Sequence, residues 1–274
     1  MNVSRSGYYK YIKREGKHNS YERVRESIKP LIKKYYISNP TWGSARVNKQ
    51  IKKDYGIIVS NNLVWKCRNK LGLQSVVRKK RRKNLSIGEE HTKYPNILKG
   101  NFNTDRPFEK IVSDTTMIGH KGRVYDFNVY LDLFNNEIIS YDLSVSNYGF
   151  GRKNHYAAAK LFLIEKEKRG YIDKETIFHS DQGSIYASQA FNALFDNTTI
   201  VRSMSRAGCP TDHPGIESFN GWMKDELEYD FKLKDQDCIY ETVQKYVTYH
   251  NNERLAYALD YKSPFQFKTE KGFI

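Results

Sequence analysis

Residues 107–145 read PFEKIVSDTTMIGHKGRVYDFNVYLDLFNNEIISYDLSV. Apolar residues recur there at every second position, the period of a strand with one buried face. Phe108 to Ile118 reads as a first strand, closed by a Lys121-Gly122 turn. In 124–134, Tyr125, Phe127, Val129, Leu131 and Leu133 share one face, and Asp126, Asn128 and Asp132 share the other. After a second turn at Asn135-Asn136, residues 137–145 alternate again through Ile139, Tyr141, Leu143 and Val145. Three such strands in succession predict a meander. Downstream the rhythm changes to helix near 152–169, strand at 176–181, helix near 187–196, strand at 199–204, and helices near 215–229 and 236–251. Hairpin strands leading into strand–helix units describe a mixed α/β domain.

Upstream of this domain the pattern is helical. Val24, Ile28, Leu31, Ile32 and Tyr35 fall on one face of 20–36, and Pro30 within that stretch predicts an end or a kink. Val47, Ile51 and Tyr55 repeat the helical spacing over 44–55, with Ser44 as its expected N-cap. Gly56 breaks the pattern. A second helix over 60–71 is capped by Ser60 and closed by Gly72, with Leu63, Val64, Cys67 and Leu71 inward. Helix, short glycine-containing break and helix outline a helix-turn-helix, and equally a plain helical hairpin. The second helix is expected to turn Asn61, Asn62, Lys66, Arg68 and Asn69 to solvent. Asparagine can read adenine through two hydrogen bonds, and arginine can read guanine in the same way.

Charge separates the two regions. The 274 residues carry a net +15 with a mean hydropathy of −0.74. Residues 1–100 hold 25 basic and 6 acidic groups, whereas residues 101–274 hold 21 and 25. A front third this basic is the footprint of a polyanion-binding surface. The run Arg78-Lys79-Lys80-Arg81-Arg82-Lys83 reads as a linker that also follows a phosphate backbone. The expected organisation is a helical DNA-binding region at 1–77, a basic linker at 78–106 and, at 107–274, the mixed α/β domain, whose near-neutral charge suits an enzyme or a dimerisation domain. No apolar run is long enough to span a bilayer. No signal-peptide core opens the chain, and Cys67, Cys209 and Cys238 lack disulfide or zinc spacing. The expected location is therefore cytoplasmic.

Three carboxylates stand where chemistry could use them. Asp114 lies within the first strand, Asp181 just past the fourth, and Glu217 near the start of a late helix. A carboxylate inside an apolar strand is costly unless it is paired, hydrogen-bonded or bound to a cation. Oxygen-only ligands suit Mg2+ or Mn2+ rather than zinc. Three carboxylates can hold two such ions for in-line attack on a phosphodiester. Each acid taken singly also reads as an ordinary strand-edge or capping residue, as Asp132 and Asp142 do. His179 and Ser180 point to opposite faces of a strand and cannot make a nucleophilic triad with Asp181. Trp42, Trp65 and Trp222 read as core anchors.

The motifs resemble a family, over essentially the whole chain. Val3-Ser4-Arg5-Ser6-Gly7-Tyr8-Tyr9, Gly43-Ser44-Ala45-Arg46 with 57–73, His179-Ser180-Asp181-Gln182-Gly183-Ser184-Ile185-Tyr186, Ser203-Met204-Ser205-Arg206, Tyr249-His250-Asn251-Asn252-Glu253-Arg254 and Ser263-Pro264-Phe265 are similar to those of bacterial insertion-sequence transposases. These share their catalytic core with retroviral integrases. More narrowly, the chain resembles the downstream-frame product of two-frame elements. Asp181 and Glu217 have 35 residues between them, as in that family's Asp, Asp-35-Glu motif. Asp212-His213-Pro214 departs from the usual Asp-Asn-Ala, and Leu255-Ala256-Tyr257 lacks the common Pro-His.

The resemblance implies a ribonuclease-H-like integrase core preceded by an all-α helix-turn-helix region. It implies Asp114, Asp181 and Glu217 as the catalytic residues that bind two Mg2+ or Mn2+ ions, and Lys224 as a DNA contact. Arg46 and Arg206 are expected to join it, with the outward residues of the second helix and the basic run. Further implications are double-stranded DNA as partner (element ends and target), a homo-oligomer, an upstream-frame protein or fusion, and nucleoid association. A DNA-binding protein without chemistry and a ribonuclease remain as other readings.

Overall fold

The structure, a computed structural model, describes residues 4–13, 20–76, 93–146, 152–183, 185–206 and 214–273. The chain divides into two compact units, Met1–Val76 and Val77–Ile274.

In the first unit α1 spans Arg5–Ile12, α2 Ser20–Ser38, α3 Ser44–Tyr55 and α4 Asn61–Lys70. Ile28, Ile32, Tyr35, Trp42, Val47, Ile51, Val64 and Cys67 form its core. Two expectations are corrected here. Of the end or kink expected at Pro30, the end does not occur: α2 continues to Ser38. The Pro30 ring faces solvent, while Ile28 and Ile32 on the inner face are fully buried and hold the helix on both sides of the lost backbone bond. Ser44 is the first residue of α3 rather than its cap; Gly43 takes the cap position with no side-chain bond. Ser60 caps α4 as expected, its hydroxyl accepting from the Leu63 N–H. Gly56 ends α3 at φ 67°, in the left-handed region that glycine tolerates. The Tyr35 hydroxyl donates to Asp54 at 2.6 Å and ties α2 to α3.

In the second unit β1 (Lys110–His120), β2 (Arg123–Asp132) and β3 (Ile138–Val145) form the antiparallel meander. Lys121 and Gly122 both have positive φ, as a two-residue hairpin turn of this hand requires. Phe108 was expected inside the first strand, but it sits at φ 58° and the strand starts two residues later. Then follow α5 (Arg152–Lys168), β4 (Thr176–Ser180), the short α6 (Gln189–Asn192), β5 (Ile200–Met204), α7 (Pro214–Tyr229), α8 (Ile239–Asn252) and α9 (Pro264–Glu270). β4 pairs parallel to β1, and β5 parallel to β4, giving the order β3-β2-β1-β4-β5. This is the mixed α/β fold expected for an integrase core.

Strand alternation sends side chains to two cores. Val112, Phe127, Val129 and Leu131 meet Ile216, Phe219 and Met223 of α7 and Val243 and Tyr246 of α8. Ile111, Tyr130 and Phe178 on the other face meet Ala158, Ala159 and Phe162 of α5. Residues 93–106, assigned above to the linker, are packed instead. Leu98 is buried, the Ile97 N–H donates to Ser203 Oγ at 2.9 Å, and Lys110 Nζ donates to the Asn101 carbonyl at 3.2 Å.

Candidate functional site

Parallel pairing of β1 with β4 sets the site. Ser113 is the register partner of Ser180, so Asp114 and Asp181 follow one step further on neighbouring chains. Asp181 leaves β4 there, and its Oδ1 accepts the Gly183 N–H at 2.8 Å, which fixes its rotamer at the start of the turn. A larger residue at 183 would displace that carboxylate, because a Cβ there would stand 2.8 Å from Asp181 Oδ1. On α7 the Asn220 Nδ2 donates to Asp114 Oδ2 at 2.8 Å. Asn220 is buried, and its Oδ1 has no hydrogen-bond partner. Glu217 lies one helical turn earlier on α7, in its first turn, with an exposed side chain. Lys224 lies two turns after Glu217 and is half-buried, and Arg206 is exposed just beyond β5.

The structure therefore sets Asp114 and Asp181 one step past a paired register position and holds α7, which carries Glu217, against Asp114 through Asn220. It does not gather all three acids: among the described residues no three of His, Cys, Asp and Glu lie close enough to share a metal ion. The aspartate pair fits a hard divalent cation, with oxygen-only donors in adjacent register where β4 ends beside β1.

Beneath this pair, on the opposite face of the sheet, lies a polar cluster that sequence reasoning missed. Tyr186, five residues after Asp181, is buried. Its hydroxyl stands 2.9 Å from Ser113 Oγ and donates to Asn128 Oδ1 at 3.0 Å. Burial first, then the negative charges of Asp114 and Asp181, push the Tyr186 phenol well above its ordinary range. His155 of α5 meets the Tyr186 ring edge-on at 5.2 Å, and burial pulls its pKa down to about 4. Only the Tyr186 phenol was within the quoted motif, and nothing in that motif says where its hydroxyl goes. His179, weighed above for nucleophilic chemistry, is fully buried with Nδ1 at 2.8 Å from Ser203 Oγ, a tie between β4 and β5.

In the first unit, α4 turns Asn61, Asn62, Lys66 and Asn69 to solvent, and Arg46 of α3 stacks over the Trp42 ring at 5.9 Å. Asn61 Oδ1 accepts from Asn48 Nδ2 at 2.7 Å, which holds the start of α4 against α3. Arg68 is corrected: it is 3% exposed and cannot reach a base. It follows Val64 by one turn on the inner face, and its guanidinium donates to the Trp42 and Leu73 carbonyls. Those carbonyls, outside any helix ladder, need donors when buried, and the arginine fork supplies several. Trp42 is a core residue as expected, whereas Trp65 and Trp222 are 53% and 47% exposed and are not anchors. The run Arg78, Lys79, Lys80, Arg81, Arg82 and Lys83 lies outside the described residues.

The HTH-like domain family matches residues 10–81, and the integrase core domain family matches 104–210 and again 217–271. The Escherichia coli K12 putative transposase InsK for insertion sequence element IS150 is 27% identical over 98% of this chain and 90% of its own length. An uncharacterized transposase-like protein of Haemophilus influenzae is 31% identical over 64% of this chain and 77% of its own. The transposase for insertion sequence element IS904 of Lactococcus lactis is 27% identical over 90% of this chain and 94% of its own. Among solved structures, the HTLV-2 integrase catalytic core domain is similar at a TM-score of 0.44 and 17% identity, covering 59% of this chain and 97% of that one.

Proposed function

The chain belongs to the insertion-sequence transposases with an integrase-type core, and on that premise we propose that it breaks and joins DNA at a centre built on Asp114, Asp181 and Glu217. Its function is DNA transposition and integration, performed as a polynucleotidyl transferase. The observation that carries the assignment of the centre is the adjacency of Asp114 and Asp181 one step past the Ser113–Ser180 pairing. Integrase-type cores are metal-dependent. Asp114 and Asp181 would hold one Mg2+ or Mn2+ between them, with Glu217 completing the set for a second. Bound there, the cations would supply Lewis-acid polarisation of the scissile phosphodiester.

The residues of the chain do the rest. Asn220 orients the Asp114 carboxylate through Oδ2, and the Gly183 N–H orients Asp181. Lys224 and Arg206 draw the DNA backbone towards the acids, and Arg46, Asn61, Asn62, Lys66 and Asn69 hold the element end at the first unit. Water attacks an end phosphodiester and leaves a 3′-hydroxyl and a 5′-phosphate. That 3′-hydroxyl then attacks a target phosphodiester, so one P–O bond forms as another breaks and no reductant or nucleotide is consumed. Two ends must be held together, so the working form is an oligomer of this chain on DNA, with an upstream-frame protein as a further partner of the same proposal.

The test is circle formation in cells. The gene, with its upstream frame, is expressed beside its own flanking DNA ends, and junctions are detected by amplification. Native protein should give junctions, and Asp114→Asn, Asp181→Asn and Glu217→Gln should give none while still shifting end DNA in a gel. Junctions from all three variants would sink the reading. A second reading, a DNA-binding member without chemistry, rests on the absence of a group of three metal-holding side chains among the described residues. End binding with no junctions from the native protein would support it.

A further inference from the structure

We propose that Tyr186 is the positioning residue of this centre: its hydroxyl fastens the turn that carries Asp181 to the strand that carries Asp114. The inference rests on the reading of Asp114 and Asp181 as the paired carboxylates. The phenol oxygen lies 2.9 Å from Ser113 Oγ and 3.4 Å from Thr115 Oγ1, the residues on either side of Asp114 in β1. Strand alternation points Ser113 and Thr115 to one face and Asp114 to the other. The hydroxyl thus grips β1 from behind the carboxylate. It also donates to Asn128 Oδ1 on β2 at 3.0 Å, so the grip extends over two strands.

The other end of the turn is held as well. Arg202 of β5 donates to the Tyr186 carbonyl at 3.2 Å and to Ser180 Oγ at 3.5 Å. Ser180 immediately precedes Asp181. Ser180 at the end of β4 and Tyr186 are therefore clamped by one guanidinium, and the Tyr186 hydroxyl links them back to β1.

A core tyrosine chosen for packing alone would need any one partner for its hydroxyl. Here the bridged groups flank one carboxylate, on a residue that ends the loop of the other. Packing would survive loss of the oxygen. The ring contacts to Phe178, Phe191 and His155 are kept by phenylalanine. Ser113 Oγ stands 3.2 Å from Asn128 Oδ1, so in the phenylalanine variant its hydrogen turns to that oxygen and neither partner is stranded. Fold and positioning are thus separable by a single atom.

The experiment uses the full chain with Mn2+ as probe, titrated by electron paramagnetic resonance of the free ion, beside thermal melts without metal. Tyr186→Phe should melt like the native protein, bind Mn2+ about tenfold more weakly, as loss of an outer-shell support does, and regain the native cleavage rate at saturating Mn2+. Native Mn2+ affinity in this variant would overturn the proposal. Should Tyr186→Phe not fold, Ser113→Ala combined with Thr115→Val removes both β1 partners and keeps the ring, and the same loss of affinity is required of it. Asp114→Asn and Asp181→Asn run in parallel. Retained Mn2+ binding in both overturns the carboxylate reading and, with it, the role of Tyr186. Loss in both, beside native affinity in Tyr186→Phe, overturns the positioning role alone.

Discussion

At the residue scale, burial decides what a side chain can do. Arg68 and Lys66 stand two positions apart on one helix, and a helical wheel on which Arg68 follows Val64 by one turn already hinted at different faces. Composition pulled the other way, since a basic residue in a basic segment reads as outward. The deciding signal, the Trp42 carbonyl 26 residues away, has no mark in sequence. Arg68→Ala should destabilise the first unit by about 2–4 kcal/mol through stranded carbonyls and lost stem packing. Lys66→Ala should leave the melting temperature alone and lower the salt slope of DNA binding by about 1. Denaturant melts and salt titrations separate the two. Two further buried groups give the second unit opposing pH slopes. His155 is held at about 4, below its ordinary 6.5, so the stability tied to its neutral form is complete above that ordinary value and is lost as pH falls towards 4. Asp132, which accepts the Phe108 and Phe134 N–H groups, is pushed up by burial to about 7 from 3.8; its stabilising form is protonated, and its contribution is lost as pH rises. Replacing His155 by Gln removes the first slope, worth at most about 3 kcal/mol. Urea melts of that variant between about pH 4 and 6.5 should show stability falling more steeply with rising pH than in the native chain; parallel curves would refute the assignment.

At the element scale, the meander was legible because each strand buries a face and alternation follows directly from that. The second turn of the meander was legible from its asparagines, and the ends of α3 and α4 from Gly56, Ser60 and Gly72. What was not legible is where packing overrules local preference. Pro30 should break α2, yet fully buried Ile28 and Ile32 on the inner face keep it whole. The helix carries that fault at a cost, because the Glu26 carbonyl loses the N–H that residue 30 would supply. Pro30→Ala should therefore stabilise the first unit by about 1–3 kcal/mol. A rise in its urea midpoint with an unchanged denaturant slope is the expected result; an unchanged midpoint would mean that α2 is already bent to suit the ring. The candidate site shows the same division. Each acid was visible by its position in a motif, whereas the Asn220–Asp114 bond spans 106 residues and the Tyr186–Ser113 bond 73. Pairings of that range depend on the packing of α7 on the sheet and on the parallel register of β1 and β4, which no local pattern specifies.

At the scale of the whole molecule, charge and packing divide the chain in nearly the same place. The core of the first unit is closed within residues 28–67, and both sheet cores lie within 108–246. The excess of positive charge sits in residues 1–100, while 101–274 are slightly acidic. An acidic catalytic unit gains little from long-range attraction to DNA, so affinity has to come from the basic part, through counterion release. Residues 93–106 belong with the second unit by their bonds to Ser203 and Lys110, so a cut meant to separate the two functions should fall before residue 93. A chain beginning at residue 93 should unfold in one cooperative step and bind Mn2+ like the full protein. Its DNA affinity should fall and its salt dependence flatten, by about 0.9 in slope for each phosphate contact removed. Calorimetry, Mn2+ titration and binding at several salt concentrations read these three properties separately. A shortened chain that keeps the full salt slope would place the DNA-holding surface on the catalytic unit, and the charge asymmetry would then serve something other than grip on the element end.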